Sequence, residues 1–198
     1  MNTQIRDSLL RIMCAAQSEL RCVLFTNRLS PVVPALANTE GLRLVGLVHP
    51  THPIDTADAM RQHISAEIPL FEYHPEQGVS LSAFLRNINA QLLVVYGFQH
   101  IISAAILEQC PGVNLHPSLL PAYPGLNPWT DQMKASPTTG GYTVHKLSPH
   151  ADSGEILARA EFPWPYGLTD LSQIRDVTLR DCGVPLLIKT LLKSTISK

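Results

Sequence analysis

No two cysteines of this chain are close enough to form a CxxC pair: Cys14, Cys22, Cys110 and Cys182 are scattered over 198 residues. That scatter argues against a zinc ribbon or a disulfide framework and predicts buried free thiols in a reducing cytosol. An excess of one charge is lacking too. The formal net charge is −1 and the pI is near 6.7, so no basic footprint points to a nucleic-acid partner. No apolar run is long enough for a bilayer, so no membrane partner is expected. Near the N-terminus LLRIMCAA is preceded by Asp7 and interrupted by Arg11, which argues against a secretory signal. Instead Ile5, Leu9, Ile12, Ala16 and Leu20 recur at helical spacing and predict an appended amphipathic helix over residues 1–20. Metal ligation finds little support: His49 and His52 share the loop HPTHP, whose prolines leave no regular face to present both rings. Repeats and low-complexity tracts are absent.

What is present is a single core-forming chain, 45% hydrophobic and 16% charged. RCVLFT (Arg21–Thr26) and RLVGLVHP (Arg43–Pro50) are β-rich runs, with PVVPALAN as a short helix between them. Asp55 to Ala66 reads as a helix and IPLFEY as a third strand, followed by the helix SLSAFLRNINA capped by Ser80. QLLVVYG, apolar on both faces, reads as a central parallel strand, ISAAILEQC as a helix and VNLHPS as a strand. Such alternation predicts an α/β fold: an open, doubly wound, mostly parallel sheet with helices on both faces. GYTVHKLS and EILARAEFPW then follow as two strands with no helix between them. A C-terminal helical segment over TDLSQIRDVTLRDCGVPLLIKTLLKS should pair or kink near Pro185.

In such sheets ligands sit beyond the carboxyl ends of the strands. Asn114 and His116 fall at one such end. Two residues apart on a strand, they share a face, while Leu115 points to the other. An amide donor beside an imidazole suits a site where negative charge develops on oxygen, as in acyl transfer. The missing orienting carboxylate is best supplied by Asp152 in HADSG. Another reading of the same residues has Asn114 and His116 pinning the proline loop, and Asp152 serving only as a turn residue.

NLHPSLLPAYPG (114–125) followed by TVHKLSPHADSGEIL (143–157) resembles the catalytic signature of the folate-dependent formyltransferases. The resemblance extends from about Arg21 to Ile188 and implies the Rossmann-like formyltransferase fold, with residues 21–198 as the catalytic domain. It implies catalytic roles for Asn114, His116 and Asp152, with protonated His116 and Asn114 stabilising an oxyanion. His145 would support them, as would Ser118, Gly125 and a cis Leu120–Pro121 bond. The donor would be 10-formyltetrahydrofolate and the acceptor an amine, with no metal. Within YGFQHIISAAIL, Gln99, His100, Ile101, Ile102 and Leu107 would line the folate pocket, closed on the other side by Leu147, Ser148, Pro149, His150 and Ala151.

The chain departs from the family's purine-synthesis members after the first strand. There TNRLSPVVPAL replaces a glycine-rich loop that cradles a phosphate, and prolines cannot supply the amides. The expected acceptor is therefore a small or carrier-linked biosynthetic amine: an amino acid, an amino sugar or an aminoacyl group. Asn127 and Trp129 would shape its side of the pocket, and a carrier protein or larger synthetase is an expected partner class. A purine-type acceptor, hydrolysis of the donor and a non-catalytic folate- or partner-binding module are the alternatives. Localisation is expected to be cytoplasmic.

Overall fold

The computed structural model describes residues 19–50, 64–165, 167 and 170–196. Their strands are β1 (Leu20–Phe25), β2 (Leu42–Pro50), β3 (Leu70–Tyr73), β4 (Leu92–Val95), β5 (Gly112–His116), β6 (Thr139–Lys146) and β7 (Ile156–Pro163). The helices are α1 (Val32–Asn38), α2 (Gly78–Asn87), α3 (Ala104–Gln109), α4 (Pro128–Ala135), α5 (Leu171–Thr178) and α6 (Val184–Ile196). The strands form one sheet in the order β3-β2-β1-β4-β5-β6-β7. Pairing is parallel from β3 to β5 and antiparallel from β5 through β6 to β7. The predicted mostly parallel α/β sheet is thus the fold observed.

Side-chain alternation along the strands divides the core into two layers. Cys22 and Leu24 of β1, Val94 of β4 and Val113 and Leu115 of β5 pack against α1, α5 and α6. Val23 and Phe25, Leu93 and Val95 face the opposite way, against α2 and α3. Pairing of β1 with β2 shifts register between Cys22 and Val23, whose partners are Leu44 and Gly46. That extra residue puts Leu44 and Leu47, three apart, on the same face. The described cysteines are free, with Cys22 and Cys110 buried and Cys182 half-buried. Burial raises the Cys22 thiol to about 12 and that of Cys110 to about 11.

The helix over residues 1–20 and most of Asp55–Ala66 lie outside the described residues, and Ile64–Ala66 are turn rather than helix. Ser80 does not cap α2; a turn closed by Gln77 N–H on the His74 carbonyl starts the helix ahead of it. The C-terminal break is a π-helical turn, Leu179–Gly183, joining α5 to α6 just before Pro185. Val184 N–H reaches back five residues to Leu179 there, and the wider turn accommodates a proline that has no N–H of its own.

Leu187 of α6 is fully buried in the larger layer. Leu187→Ala should cost about 2–5 kcal/mol, read as a lowered urea midpoint with little change in slope.

Candidate active site

Strand order reverses between β1 and β4, and a cleft of about 500 Å³ opens beyond the carboxyl ends of β1, β4 and β5. Asn114 and His116, at the end of β5, both line it. Antiparallel pairing sets His145 of β6 opposite Asn114, and Thr143 opposite His116. Asp152 arrives from the β6–β7 loop in the left-handed region, φ 51°, a conformation Asp tolerates better than most residues. Gly154 explains the spacing of this turn: a Cβ there would overlap the Lys146 carbonyl oxygen, so only glycine lets the loop fold back onto β6.

The Asp152 carboxylate is shared among four groups. Its Oδ2 accepts the Gly125 backbone N–H at 2.7 Å. Its Oδ1 lies 3.4 Å from His116 Nδ1 and 3.4 Å from His145 Nε2. Asn114 Nδ2 is also 3.4 Å from Oδ1, and 3.1 Å from His145 Nε2. His145 Nδ1 faces the Lys146 carbonyl at 2.9 Å. With the proton on that nitrogen, Nε2 is left to accept from the Asn114 amide. By the same argument His116 Nε2, 2.9 Å from the Tyr123 carbonyl, carries its proton and turns a bare Nδ1 toward Asp152.

The two ionisable partners are pulled in ways that need reconciling. Burial, the largest influence, pushes His116 below its ordinary value of 6.5, against the Tyr123 carbonyl and the Asp152 charge, which pull it up. Burial pushes Asp152 up as well, but His145, His116 and the Gly125 amide together outweigh it and hold the carboxyl low. The contact of 3.4 Å is longer than the ~2.7–2.9 Å of a tight charge-assisted bond, so desolvation prevails at the imidazole. The resting pair is therefore an ionised Asp152 beside a neutral His116.

The proline loop is held by buried polar side chains. Thr143 Oγ1 donates to the Ser118 carbonyl at 2.7 Å and accepts the Leu120 N–H at 3.1 Å. Ser118 Oγ donates to the Ala122 carbonyl at 2.6 Å, and Gln132 Nε2 to that of Pro117 at 2.8 Å. The Leu120–Pro121 bond is cis. Ser118, Leu120 and Pro121 shape the loop without lining the cleft, whereas Gly125 and Asn127 line it. Trp129 reaches the cleft but is only 5% exposed, packed against Tyr142 and Trp164.

Of the expected donor-side residues, Gln99, His100, Ile101, Ile102, Leu147, Ser148, His150 and Ala151 line the cleft. Leu107 does not; its side chain packs into the α2–α3 core layer, because the helix turns that position inward. Pro149 is also off the wall, although its neighbours on either side are on it. Asn27, Arg28, Tyr96 and Arg175 line the cleft without having been anticipated. Asn27 and Arg28 were legible from the rule that loops after parallel strands build the site. Arg175 was not, since nothing near it in the chain marks the cleft. Among the described residues no cluster of three or more His, Cys, Asp or Glu is arranged to hold a metal ion.

Two measurements test this geometry. Thr143→Val removes the hydroxyl and leaves Leu120 N–H and the Ser118 carbonyl without that partner, which should cost about 1–3 kcal/mol in urea unfolding. For His116, protonation is disfavoured in the fold, so between its lowered pKa and 6.5 the unfolded chain binds more protons. Stability should rise with pH across that window and be lost as pH falls through it, with the slope flattened in His116→Gln.

A formyl transferase family profile matches residues 45–174, well over half of the chain. The phosphoribosylglycinamide formyltransferase of Haemophilus influenzae is 30% identical over 95 residues, covering 47% of this chain and 45% of that protein. The methionyl-tRNA formyltransferase of Borrelia hermsii is 35% identical over 104 residues, 52% of this chain and 34% of its own length. The matched region thus spans about half or less of these relatives. In fold, the phosphoribosylglycinamide formyltransferase of Bacillus halodurans superposes with a TM-score of 0.73 at 20% identity, covering 87% of this chain and 94% of that one. The polar cluster around Asp152 lies within the matched residues, and the chain belongs to the formyl transferase family.

Proposed function

We propose that the protein transfers a formyl group from 10-formyltetrahydrofolate to the primary amine of a small or carrier-linked acceptor. The observation that carries this reading is the Asp152 carboxylate, shared by His116, His145 and Asn114 at the wall of an open cleft. One wall suits a flat heteroaromatic donor. Ile101 and Leu126 expose 59% and 67% of their surface, beside the buried Phe98 and Ile102. Gln99, His100, Ser148, His150 and Asp152 supply polar groups around that surface.

Attack of a neutral amine on the formyl carbon forms a C–N bond and places negative charge on the formyl oxygen. Asn114 Nδ2 is the donor for that oxygen, and its long contact with Asp152 is the one given up. The proton shed by the amine goes to the His116–Asp152 pair. Neutral Nδ1 facing an ionised Oδ1 is a repulsive arrangement of two acceptors, and a proton between them turns it into an ion pair. Collapse breaks the bond from the formyl carbon to N10, and the proton passes to N10. The products are the N-formyl amine and tetrahydrofolate.

The β1–α1 loop supports an acceptor recognised otherwise than through a cradle of glycine amides. Residues 26–31 contain no glycine, and Pro31 stands at the N-cap position of α1.

Asp152→Asn keeps the left-handed backbone and an oxygen for Gly125 N–H, but removes the charge. Amine-dependent release of tetrahydrofolate should fall roughly 10²–10⁴-fold while folate binding persists. Unchanged turnover in the variant would refute the assignment of Asp152. Formate release without any amine would make water the acceptor, and folate binding without turnover would leave a binding module.

A further inference from the structure

We propose that the chain associates with a second copy of itself through the open edge of β7, the two strands running antiparallel about a two-fold axis at Ala160. The two sheets then join into one, and each protomer keeps its own cleft. The pairing stands apart from the formyl-transfer reading, since no residue of β7 lines that cleft.

β7 ends the strand order, so among the described residues one of its edges has no neighbouring strand. Trp164 N–H donates to the Thr138 carbonyl at 3.0 Å, and backbone groups alternate in direction along a strand. Phe162, Ala160 and Ala158 therefore turn their amides and carbonyls toward β6, opposite Gly140, Tyr142 and Val144. Arg159 and Glu161 turn theirs outward. A row of unmet backbone groups at a sheet edge is a template for another strand.

Two features bound that row. Pairing with β6 shifts register between Val144 and His145, whose partners are Ala158 and Ile156, so a bulge ends the regular edge at Leu157. At the other end Pro163 holds an outward position and has no N–H to offer. The window between them has Ala160 at its midpoint.

Charge selects the register. Arg159 and Glu161 are exposed on one face of the strand, and among the described residues neither forms an ion pair. A self-pairing centred on Arg159 would set two arginines opposite each other, and one centred on Glu161 two glutamates. Centred on Ala160, it sets each Arg159 against the other copy's Glu161, and the same residues exchange backbone N–H···O bonds. Opposite charges directly across a strand pair are favourable, and like charges are not.

Packing agrees with this register. The axis falls on a non-hydrogen-bonded pair, where Cα atoms approach to about 4.5 Å, and alanine is small enough to meet its own copy there. Ala158 lies across from the other copy's Phe162, a small side chain beside a large one. Ala158, Ala160 and Phe162 are only partly buried against the α5–α6 layer, and Leu157 is 37% exposed. Pairing covers what remains of this apolar strip. Such an interface is self-complementary and closes at two copies, so it gives a dimer and not a fibre.

The test measures the mass of the full chain by sedimentation equilibrium from micromolar to millimolar concentration, with hydrogen exchange at the Arg159 and Glu161 amides as a second readout. A mass twice the single-chain 21.8 kDa, with both amides gaining protection in step with it, supports the pair. Arg159→Glu and Glu161→Arg each set like charges across the axis and should raise the dimer Kd at least ~10-fold. Mixed in equal amounts, the two variants should form a heterodimer close to the original in affinity, because each then meets only opposite charges. The double exchange should recover the homodimer. Recovery on mixing is an outcome that loss of fold cannot imitate. A single-chain mass at every concentration overturns the proposal, and edge amides protected in that monomer would show another segment of the same chain on β7. A dimer indifferent to both single exchanges overturns it as well, since the contact then lies elsewhere.

Discussion

A single buried carboxylate organises this site. Asp152 is drawn out of water by the loop that carries it, and desolvation opposes its charge. The charge is held by the Gly125 N–H and the Asn114 amide, which reach its two oxygens from different segments of chain, with the His145 and His116 rings beside them. Each of those segments is in turn positioned by something else: Gly125 by the proline loop, His145 by pairing with β5, and the Asp152 turn by Gly154. Disturbing any one of them unbalances the carboxylate before it disturbs the fold.

His116 shows the same competition with the opposite result. One nitrogen is committed to the Tyr123 carbonyl, and the other faces a carboxylate too distant to overcome burial. Both groups therefore rest deprotonated a few ångströms apart, the carboxylate charged and the imidazole neutral.

Much of this was legible in the sequence, and the reasons differ by element. The parallel strands announced themselves as apolar runs, since both faces of β1 and β4 are buried. Asn114 and His116 could be placed on one face by strand period alone. The role of Asp152 could not, because a loop aspartate before Ser-Gly has many uses; the family resemblance supplied it, and the Gly125 and His145 contacts give it a physical basis. Thr143 stayed hidden because it reads as one more β-branched strand residue, and its buried hydroxyl matters only once the pairing register sets it beneath the proline loop. Leu107 was misplaced because membership of a strand-to-helix corner does not say which way a helical side chain turns. Arg175 lay out of reach altogether: a surface-like helix brings it to the cleft from far along the chain.

The division of the cleft wall among segments has a consequence for divergence. The apolar side comes from the β4–α3 corner and the β6–β7 loop, whereas Arg28 and Arg175 come from the β1–α1 loop and α5. The polar centre between them is locked by the β5–β6 register, in which a slip of one residue would turn His145 away from the cleft and Thr143 away from the proline loop. Substitutions can therefore accumulate in the β1–α1 loop and along α5 without passing through the residues that hold the carboxylate. One chemical core, in such an arrangement, can be fitted to new partners one wall at a time.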